Sequence, residues 1–265
     1  MYVATSYRVW GNGSLLALEA RCCRFKSGYP DFYYEKKGRG SFMSGLFIAF
    51  EGPDGSGKTS ALNVLEQALI EKIGSNQLVR TREPGGSRIA EQIRHVILDT
   101  NNIEMTGKTE ALLYAASRQQ HVNDTIRPAL ANGQLVLCDR YVDSSIVYQS
   151  VGRALDQIDI ETINAFATDG VYPHITVYFD LDADVGLDRI AKNRLDGDIN
   201  RLDREGIAFH KKVTEGYRSL YKNHRDGTTL IRVDASQSEL AVHNEMTERL
   251  ANRIIDEWCG KRSIE

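Results

Sequence analysis

Apolar residues along the chain follow two alternating patterns, namely short continuous runs and longer stretches with apolar residues three or four positions apart. Short runs are typical of buried parallel strands, and the longer spacing is typical of amphipathic helices. The runs predict strands at Leu46–Glu51, Leu78–Arg82, Leu135–Asp139, Ile175–Asp180 and Thr229–Val233. The spaced pattern predicts helices at Lys58–Ile73, Arg88–Leu98, Thr109–Ala131, from Ser144 through Gln149 and onward, Ile158–Ala167, Val185–Asn193, Arg204–Lys222 and Gln237–Trp258. Their alternation predicts an α/β fold, in which a five-stranded parallel sheet is flanked by helices in a three-layer sandwich.

Composition narrows the class of protein. The chain has 265 residues, of which 42% are hydrophobic and 26% charged, as in an ordinary globular domain. Its formal net charge of −3 disfavours a nucleic-acid-binding module, because such proteins usually carry a basic surplus on one face. No apolar run approaches the ~18 residues of a membrane span, so no membrane partner is expected. Cys22, Cys23, Cys138 and Cys259 match neither a zinc site nor a disulfide framework, which favours a reducing, cytoplasmic compartment.

Residues 1–42 differ from the rest of the chain. They are rich in aromatic side chains and have seven basic and three acidic residues, a formal charge of +4 that leaves −7 for the remainder. Three interpretations are open: a targeting segment, a small functional extension, or sequence upstream of a later start at Met43. The third is favoured, because Met43 leads directly into the first strand and the upstream part lacks an apolar segment followed by a small-residue cleavage site. Residues 43–265 are therefore predicted to form the functional domain.

A glycine-rich loop lies between the first predicted strand and the first predicted helix. Residues Gly52–Thr59 read Gly-Pro-Asp-Gly-Ser-Gly-Lys-Thr, the P-loop NTPase pattern in its usual strand-to-helix context. The glycines let backbone N–H groups approach phosphate oxygens, and the helix N-terminus attracts anions. Lys58 adds a mobile positive charge, and the hydroxyl of Thr59 is placed to bind the Mg²⁺ that accompanies ATP. A glycine-rich turn with an incidental lysine is the disfavoured alternative. The predicted ATP-binding residues are Gly52, Pro53, Asp54, Gly55, Ser56, Gly57, Lys58 and Thr59.

Asp139 and Arg140 follow the third predicted strand, at the carboxyl edge where open α/β sheets bind ligands. A carboxylate there can order Mg²⁺ or its water shell together with Thr59, although a helix-capping aspartate is the alternative. Arg140 brings a fork of donors towards the phosphates, and Arg94 lies one helix earlier. For both arginines the alternative is a solvated surface side chain.

Tyr114 and Arg118 are four residues apart in a predicted helix and therefore share a face. An aromatic ring beside a planar guanidinium suits a nucleobase, because the ring can stack and the guanidinium can donate to a carbonyl oxygen. The alternative places Tyr114 in the core and pairs Arg118 with Glu110 or Asp124.

A charged segment between two predicted helices, at about residues 189–204, contains several arginines and one glycine. Such a segment favours a lid that closes over ATP, with a solvated connection between helices as the alternative. Residues Gly52–Gly57 contain no arginine, so an arginine that neutralises charge during phosphoryl transfer has to come from elsewhere. Arg194 and Arg201 are the candidates.

Five segments, in this order and spacing, resemble the bacterial thymidylate kinase family in its Gram-positive form throughout residues 43–260. They are Glu51-Gly-Pro-Asp-Gly-Ser-Gly-Lys-Thr, Thr81-Arg-Glu-Pro-Gly-Gly, Leu112-Leu-Tyr-Ala-Ala-Ser-Arg, Asp139-Arg-Tyr and Ser144-Ser-Ile-Val-Tyr-Gln. The resemblance implies ATP-dependent phosphorylation of dTMP to dTDP for dTTP synthesis, with Mg²⁺ as cofactor, by a cytoplasmic homodimer.

The resemblance also implies roles for individual residues. On the acceptor side, Tyr114 would stack on thymine where the family usually has phenylalanine, and Arg118, Ser145 and Gln149 would contact the base. Tyr148 would disfavour a 2′-hydroxyl, and Arg140 and Arg94 would reach the acceptor nucleotide. Beside these family roles, the sequence Glu83-Pro84-Gly85-Gly86 follows a strand and predicts a sharp loop that shapes the wall of the acceptor pocket, with Glu83 facing it. On the donor side, Arg189 would lie beside adenine, Asp54 would face the acceptor sugar and the metal's water shell, and a lid arginine would be catalytic. A kinase for another pyrimidine monophosphate and a P-loop regulatory ATPase are the remaining alternatives.

Overall fold

The computed structural model describes residues 44–193, 201–202, 205–222 and 228–262. Its strands are β1 (Leu46–Glu51), β2 (Leu78–Arg82), β3 (Leu135–Asp139), β4 (Ile175–Asp180) and β5 (Thr229–Asp234). Its α-helices are α1 (Lys58–Ile73), α2 (Arg88–Leu98), α3 (Gly107–His121), α4 (Arg127–Ala131), α5 (Val142–Ser145), α6 (Gln157–Thr168), α7 (Ala183–Asn193), α8 (Ile207–Lys222), α9 (Glu239–Asn244) and α10 (Ala251–Arg262). A 3₁₀ turn covers Ser75–Gln77, and π-helical segments cover Val122–Ile126, Ile146–Gly152 and Glu245–Leu250. The predicted N-terminal extension, Arg194 and most of the predicted lid lie outside the described residues.

The strands form one parallel sheet in the order β2-β3-β1-β4-β5. Residues of β1 alternate between two buried faces, with Leu46, Ile48 and Phe50 on one and Phe47 and Ala49 on the other. Helices α1 and α10 cover the first face, and α4 and α6 contribute to the core on the second. The predicted three-layer sandwich is confirmed.

The register of the sheet positions the loop that follows β1. Phe50 in β1 lies opposite Asp139 in β3, so the residues after each strand leave the sheet side by side. Asp139 therefore borders the segment that begins at Gly52, as the end of a buried strand predicts.

Helix caps explain where predicted and observed boundaries differ. The predicted helix from Thr109 begins instead at Gly107, because the Oγ1 atom of Thr106 accepts the N–H of Thr109 at 3.3 Å. The predicted helix from Gln237 begins at Glu239, because Ser238 caps it in the same way. The π-helical segments were not predicted, since the wider turn leaves the apolar spacing nearly unchanged.

His174 precedes β4 and is held as a neutral base. Its Nδ1 atom accepts the N–H of Phe47 at 2.9 Å, and burial, with a contribution from Lys261, lowers its pKa to about 4. Between pH 6.5 and 4 the unfolded chain therefore binds a proton that the folded chain does not. We expect the free energy of unfolding to fall by roughly 3 kcal/mol over this range because of His174.

Denaturant unfolding at a series of pH values measures this effect. The variant His174→Asn keeps an acceptor for the N–H of Phe47 but does not titrate, so its stability should depend less on pH in this range. The exposed His95, changed to Asn, is the matched control. Equal slopes for all three proteins would contradict the prediction.

Candidate active site

A cavity of about 1080 Å³ opens at the carboxyl edge of the sheet. Most of the sequence-predicted site residues line it, namely Asp54, Gly55, Ser56, Gly57, Lys58, Thr59, Glu83, Pro84, Arg94, Tyr114, Arg118, Asp139, Arg140, Ser145, Tyr148, Gln149 and Arg189. Gly52, Pro53 and Arg201 are not among its lining residues. The volume slightly exceeds the ~300–1,000 Å³ typical of ligand pockets, as expected for a site that holds two nucleotides.

The glycine-rich loop holds Lys58 over its own backbone. The Nζ atom of Lys58 donates to the carbonyl oxygens of Gly52 at 3.0 Å and Pro53 at 2.8 Å, and to the Oγ atom of Ser56 at 3.0 Å. Burial, together with the nearby Arg140, lowers the pKa of Lys58 to about 8. Gly57 adopts a φ of 80°, a left-handed conformation that favours glycine, just before α1 begins. The ammonium group is thus placed where anionic oxygens can replace its backbone partners.

Arg140 joins the loop to the turn after β3. Its φ is 67°, and its guanidinium donates to the carbonyl oxygen of Gly52 at 2.9 Å and to Asp54 at 2.5 Å. Burial alone would raise the pKa of Asp54, but Arg140 and Lys58 outweigh it and hold that pKa below its usual value. Tyr148 donates to the other oxygen of Asp54 at 2.8 Å. Asp54 is therefore a fixed carboxylate between two cations.

Thr59 and Asp139 meet beside the loop. The Thr59 hydroxyl donates to Oδ2 of Asp139 at 3.2 Å. The Oδ1 atom of Asp139 is buried and has no hydrogen-bond partner among the described residues. Because a buried carboxylate oxygen normally has a partner, this pair presents an oxygen suited to a cation or its water shell.

Arg118 also borders the cavity and is 1% exposed. Its Nε atom donates to Glu83 at 2.7 Å, and its Nη atoms donate to the Ser145 hydroxyl at 3.1 Å and the Tyr141 carbonyl at 3.0 Å. It also contacts Asn164. The alternative pairings with Glu110 and Asp124 are wrong, because Glu83 is the carboxylate that holds this guanidinium.

The other predicted acceptor-side residues adjoin Arg118. Tyr114 is half-buried, and burial raises its pKa well above the usual value. Arg94 donates to the carbonyl oxygen of Pro84 at 2.8 Å, and burial lowers its pKa. Gln149 is buried, with its amide nitrogen 3.0 Å from a carboxylate oxygen of Glu110. A flat ring, a guanidinium and an amide therefore border one pocket.

Arg194 and Arg201 are the candidates for the catalytic arginine of the lid. Arg194 lies outside the described residues. Arg201 is buried, and its guanidinium donates to Glu110 at 2.5 Å and to the carbonyl oxygen of Ile97 at 3.0 Å. Arg201 thus shares Glu110 with the cavity-lining Gln149 and does not itself border the cavity. On the donor side, Arg189 donates to the carbonyl oxygen of Ala235 at 3.0 Å.

A family model described as thymidylate kinase matches residues 50–246, a range that contains the cavity-lining residues. The chain belongs to the thymidylate kinase family. The predicted family and P-loop fold are confirmed.

Relatives in the thymidylate kinase family match this chain over nearly their whole length. The thymidylate kinase of Limosilactobacillus reuteri (strain DSM 20016) is 46% identical over 214 residues, covering 81% of this chain and 99% of that protein. That of Levilactobacillus brevis is 52% identical over 200 residues, covering 76% and 92%. The crystal structure of thymidylate kinase from Ehrlichia chaffeensis superposes with a TM-score of 0.61 at 30% identity, covering 78% of this chain and 98% of that one.

Glu51 has an organising role in this thymidylate kinase site that sequence reasoning missed. It is fully buried and accepts the N–H of Tyr141 at 2.7 Å and the hydroxyls of Ser144 at 2.6 Å and Tyr217 at 2.9 Å. Burial and the charge of Asp143 raise its pKa to about 6. The available signal was an acidic residue that ends an otherwise apolar strand directly before the glycine-rich loop.

Glu110 is the second missed carboxylate of the thymidylate kinase site. It is 1% exposed and accepts hydrogen bonds from Gln149, Arg153 and Arg201. Burial would raise its pKa, but these donors outweigh it and lower the pKa below the usual value. The sequence offered Glu110 only as an alternative partner of Arg118, because its actual partners are distant in sequence.

Proposed function

We propose that this chain transfers the γ-phosphate of ATP to dTMP, giving dTDP for dTTP synthesis. One observation carries the proposal: a phosphate-binding loop with Lys58 and a buried base-sized wall with Arg118 and Gln149 border the same cavity. A regulatory ATPase needs only the first of these features. The family to which the chain belongs supports dTMP as the acceptor.

The proposed mechanism relies on alignment and charge neutralisation. An oxygen of the acceptor phosphate, already ionised at neutral pH, attacks the γ-phosphorus, the bond to the β,γ-bridging oxygen breaks, and ADP leaves. Lys58 and Arg140 supply positive charge at the transferring group, and Asp54 holds Arg140 in place. No side chain has to accept a proton.

We propose Mg²⁺ as the cofactor, with Thr59 and Asp139 holding it or its water shell. The unpartnered Oδ1 atom of Asp139 supports this assignment. In the described ranges, His, Cys, Asp and Glu residues do not gather in groups of three or more that suit a metal. The remaining oxygen ligands would therefore be nucleotide phosphates and water, as is usual for Mg²⁺. When bound, the ion neutralises charge on the β- and γ-phosphates.

We propose that residues 189–204 form a lid over ATP, with Arg189 next to adenine. Arg201 forms a buried ion pair with Glu110. We propose that this pair anchors the end of the lid against the acceptor side of the site. Arg194 is then the candidate for contact with the transferring phosphate.

A coupled ADP-release assay tests the function. The full chain, and a chain beginning at Met43, are incubated with MgATP and dTMP, dUMP, CMP, UMP or AMP. We expect dTMP to give the highest kcat/KM in both proteins, because we propose that residues 43–265 form the functional domain. ADP release without any acceptor would favour the regulatory ATPase, and preference for another monophosphate would reject dTMP. Loss of activity on truncation would show that residues 1–42 are required.

We propose a homodimer that buries α3 and α6, acting in the cytoplasm. Large apolar side chains are exposed on these helices: Leu112 is 59% exposed, Ile158 65% and Phe166 84%. Helices α3 and α6 pack against each other, so these side chains offer apolar surface to a partner. None of the helices in the described ranges has the length and apolar character that crossing a bilayer requires.

The substitution Phe166→Glu is expected to convert the dimer to a monomer, because it places a charge in an apolar interface. Light scattering coupled to size-exclusion chromatography measures the mass. Leu240→Glu on α9 is the control, because Leu240 is 70% exposed but belongs to the layer on the other face of the sheet. A monomeric unaltered chain, or dissociation of both variants, would contradict this interface.

A further inference from the structure

The two polar atoms of the Gln149 amide differ in their hydrogen bonding within the described part of the chain. Its Nε2 atom lies 3.0 Å from Oε1 of Glu110. Its Oε1 atom is buried and has no hydrogen-bond partner within the described part of the chain. Gln149 is 1% exposed, yet it borders the same cavity as the phosphate-binding loop. A buried amide oxygen without a partner at a cavity wall is suited to accept a hydrogen bond from a ligand.

Glu110 leaves the amide of Gln149 only one orientation. An ionised carboxylate accepts hydrogen bonds and cannot donate them, so it has to face the NH₂ group and not the carbonyl oxygen. Arg153 and Arg201 keep Glu110 charged and fixed, at 3.0 Å and 2.5 Å from its Oε2 atom. Reversing the amide would bring two oxygens together in a buried site, which is costly.

The wall of the pocket therefore combines a fixed acceptor with a fixed donor. Arg118, which also borders the cavity, can only donate, whereas the free end of Gln149 can only accept. Thymine and uracil match this pair, because they have a carbonyl oxygen at position 4 beside an N–H at position 3. Cytosine has an amino group and an unprotonated nitrogen at these positions, so both of its groups would oppose the wall.

We propose that Glu110 is a specificity-determining positioning residue, which orients Gln149 so that the pocket accepts pyrimidines with an N–H at position 3 and rejects cytosine. This inference rests on the proposed function and names a residue that acts through Gln149 without touching the base. The discrimination it predicts is independent of the 5-methyl group of thymine.

Binding of dUMP and dCMP to the full chain tests the proposal by isothermal titration calorimetry. Neither nucleotide has a 5-methyl group, so the comparison isolates positions 3 and 4 of the ring. We expect the unaltered chain to bind dUMP at least about a hundredfold more tightly than dCMP, because a site with fixed hydrogen-bonding groups rejects a mismatched partner strongly. Equal binding of the two would overturn the proposal without any variant.

Glu110→Gln tests the positioning role, because a neutral amide at this position has both a donor and an acceptor. It can therefore form a hydrogen bond with either end of the Gln149 amide. We expect the ratio of the two dissociation constants to fall at least tenfold in this variant. Glu104→Gln is the matched control: it makes the same change at an exposed position before α3, so the ratio should stay within about twofold of that of the unaltered chain. If Glu110→Gln kept the full ratio, or if Glu104→Gln lowered it equally, the role assigned to Glu110 would be wrong.

Failure of this inference can be distinguished from failure of the proposed function. If dTMP supports ADP release but dUMP and dCMP bind alike, the function stands and only the role of Glu110 is rejected. If no pyrimidine monophosphate supports ADP release, both are rejected. Should Glu110→Gln fail to fold, the comparison of dUMP with dCMP on the unaltered chain still decides whether the wall discriminates.

Discussion

Replacing Lys58 with alanine is expected to lower kcat for phosphorylation of dTMP by about 10²–10³-fold, the usual cost of removing one preorganised group that stabilises charge in the transition state. The Nζ atom of Lys58 lies within 3.0 Å of three loop oxygens, so it is already positioned where the phosphates would bind. Coupled ADP release with saturating dTMP measures the effect.

Two further variants separate charge from folding. Lys58→Met keeps most of the buried stem but removes the ammonium group, and it should be as inactive as Lys58→Ala. Lys72→Ala removes an exposed lysine from the last turn of the same helix and should leave kcat within about twofold. Retention of activity in Lys58→Met would show that its charge does not contribute to transfer.

The substitution Asp139→Asn is expected to raise the Mg²⁺ concentration required for half-maximal rate and to lower kcat, each by about 10–100-fold. Asparagine keeps the shape of the side chain and an acceptor for the Thr59 hydroxyl. It loses the negative charge and one of the two oxygens. Initial rates over a range of Mg²⁺ concentrations at fixed ATP measure both quantities.

Asp234 provides the control for Asp139. It also ends a strand at the carboxyl edge of the sheet, but it is exposed and accepts hydrogen bonds from Ser236. Asp234→Asn should leave the dependence on Mg²⁺ unchanged. An unchanged Mg²⁺ requirement in Asp139→Asn would remove Asp139 from the proposed metal site.

The strands could be predicted from sequence almost residue by residue. The strands β1, β3 and β4 are short apolar runs, as burial on both faces requires, whereas the edge strands β2 and β5 include exposed polar residues. Only β5 differs from its predicted bounds, because it continues one residue beyond the predicted end at Val233, to Asp234. The order of strands in the sheet was not predicted, because it depends on contacts between segments far apart in sequence.

Site residues could be predicted from the sequence where they belong to a short sequence pattern. The glycine-rich loop, Asp139 after its strand, and the pair Tyr114 and Arg118 were found in this way, and the structure brings them to one cavity. Glu51 and Glu110 were missed, because a buried carboxylate is recognised by the donors around it. Those donors come from helices and turns that are distant in sequence.

The strand order has a consequence for the chain as it is synthesised. Strand β1, which carries the phosphate-binding loop, pairs with β3 on one side and β4 on the other, and both strands follow it at long sequence separation. During translation, the apolar residues from Leu46 to Phe50 remain without one of their neighbours until the ribosome has released Asp180. Because unpaired apolar strands are prone to aggregate, any delay before β4 is synthesised lengthens the time during which the central strand is at risk.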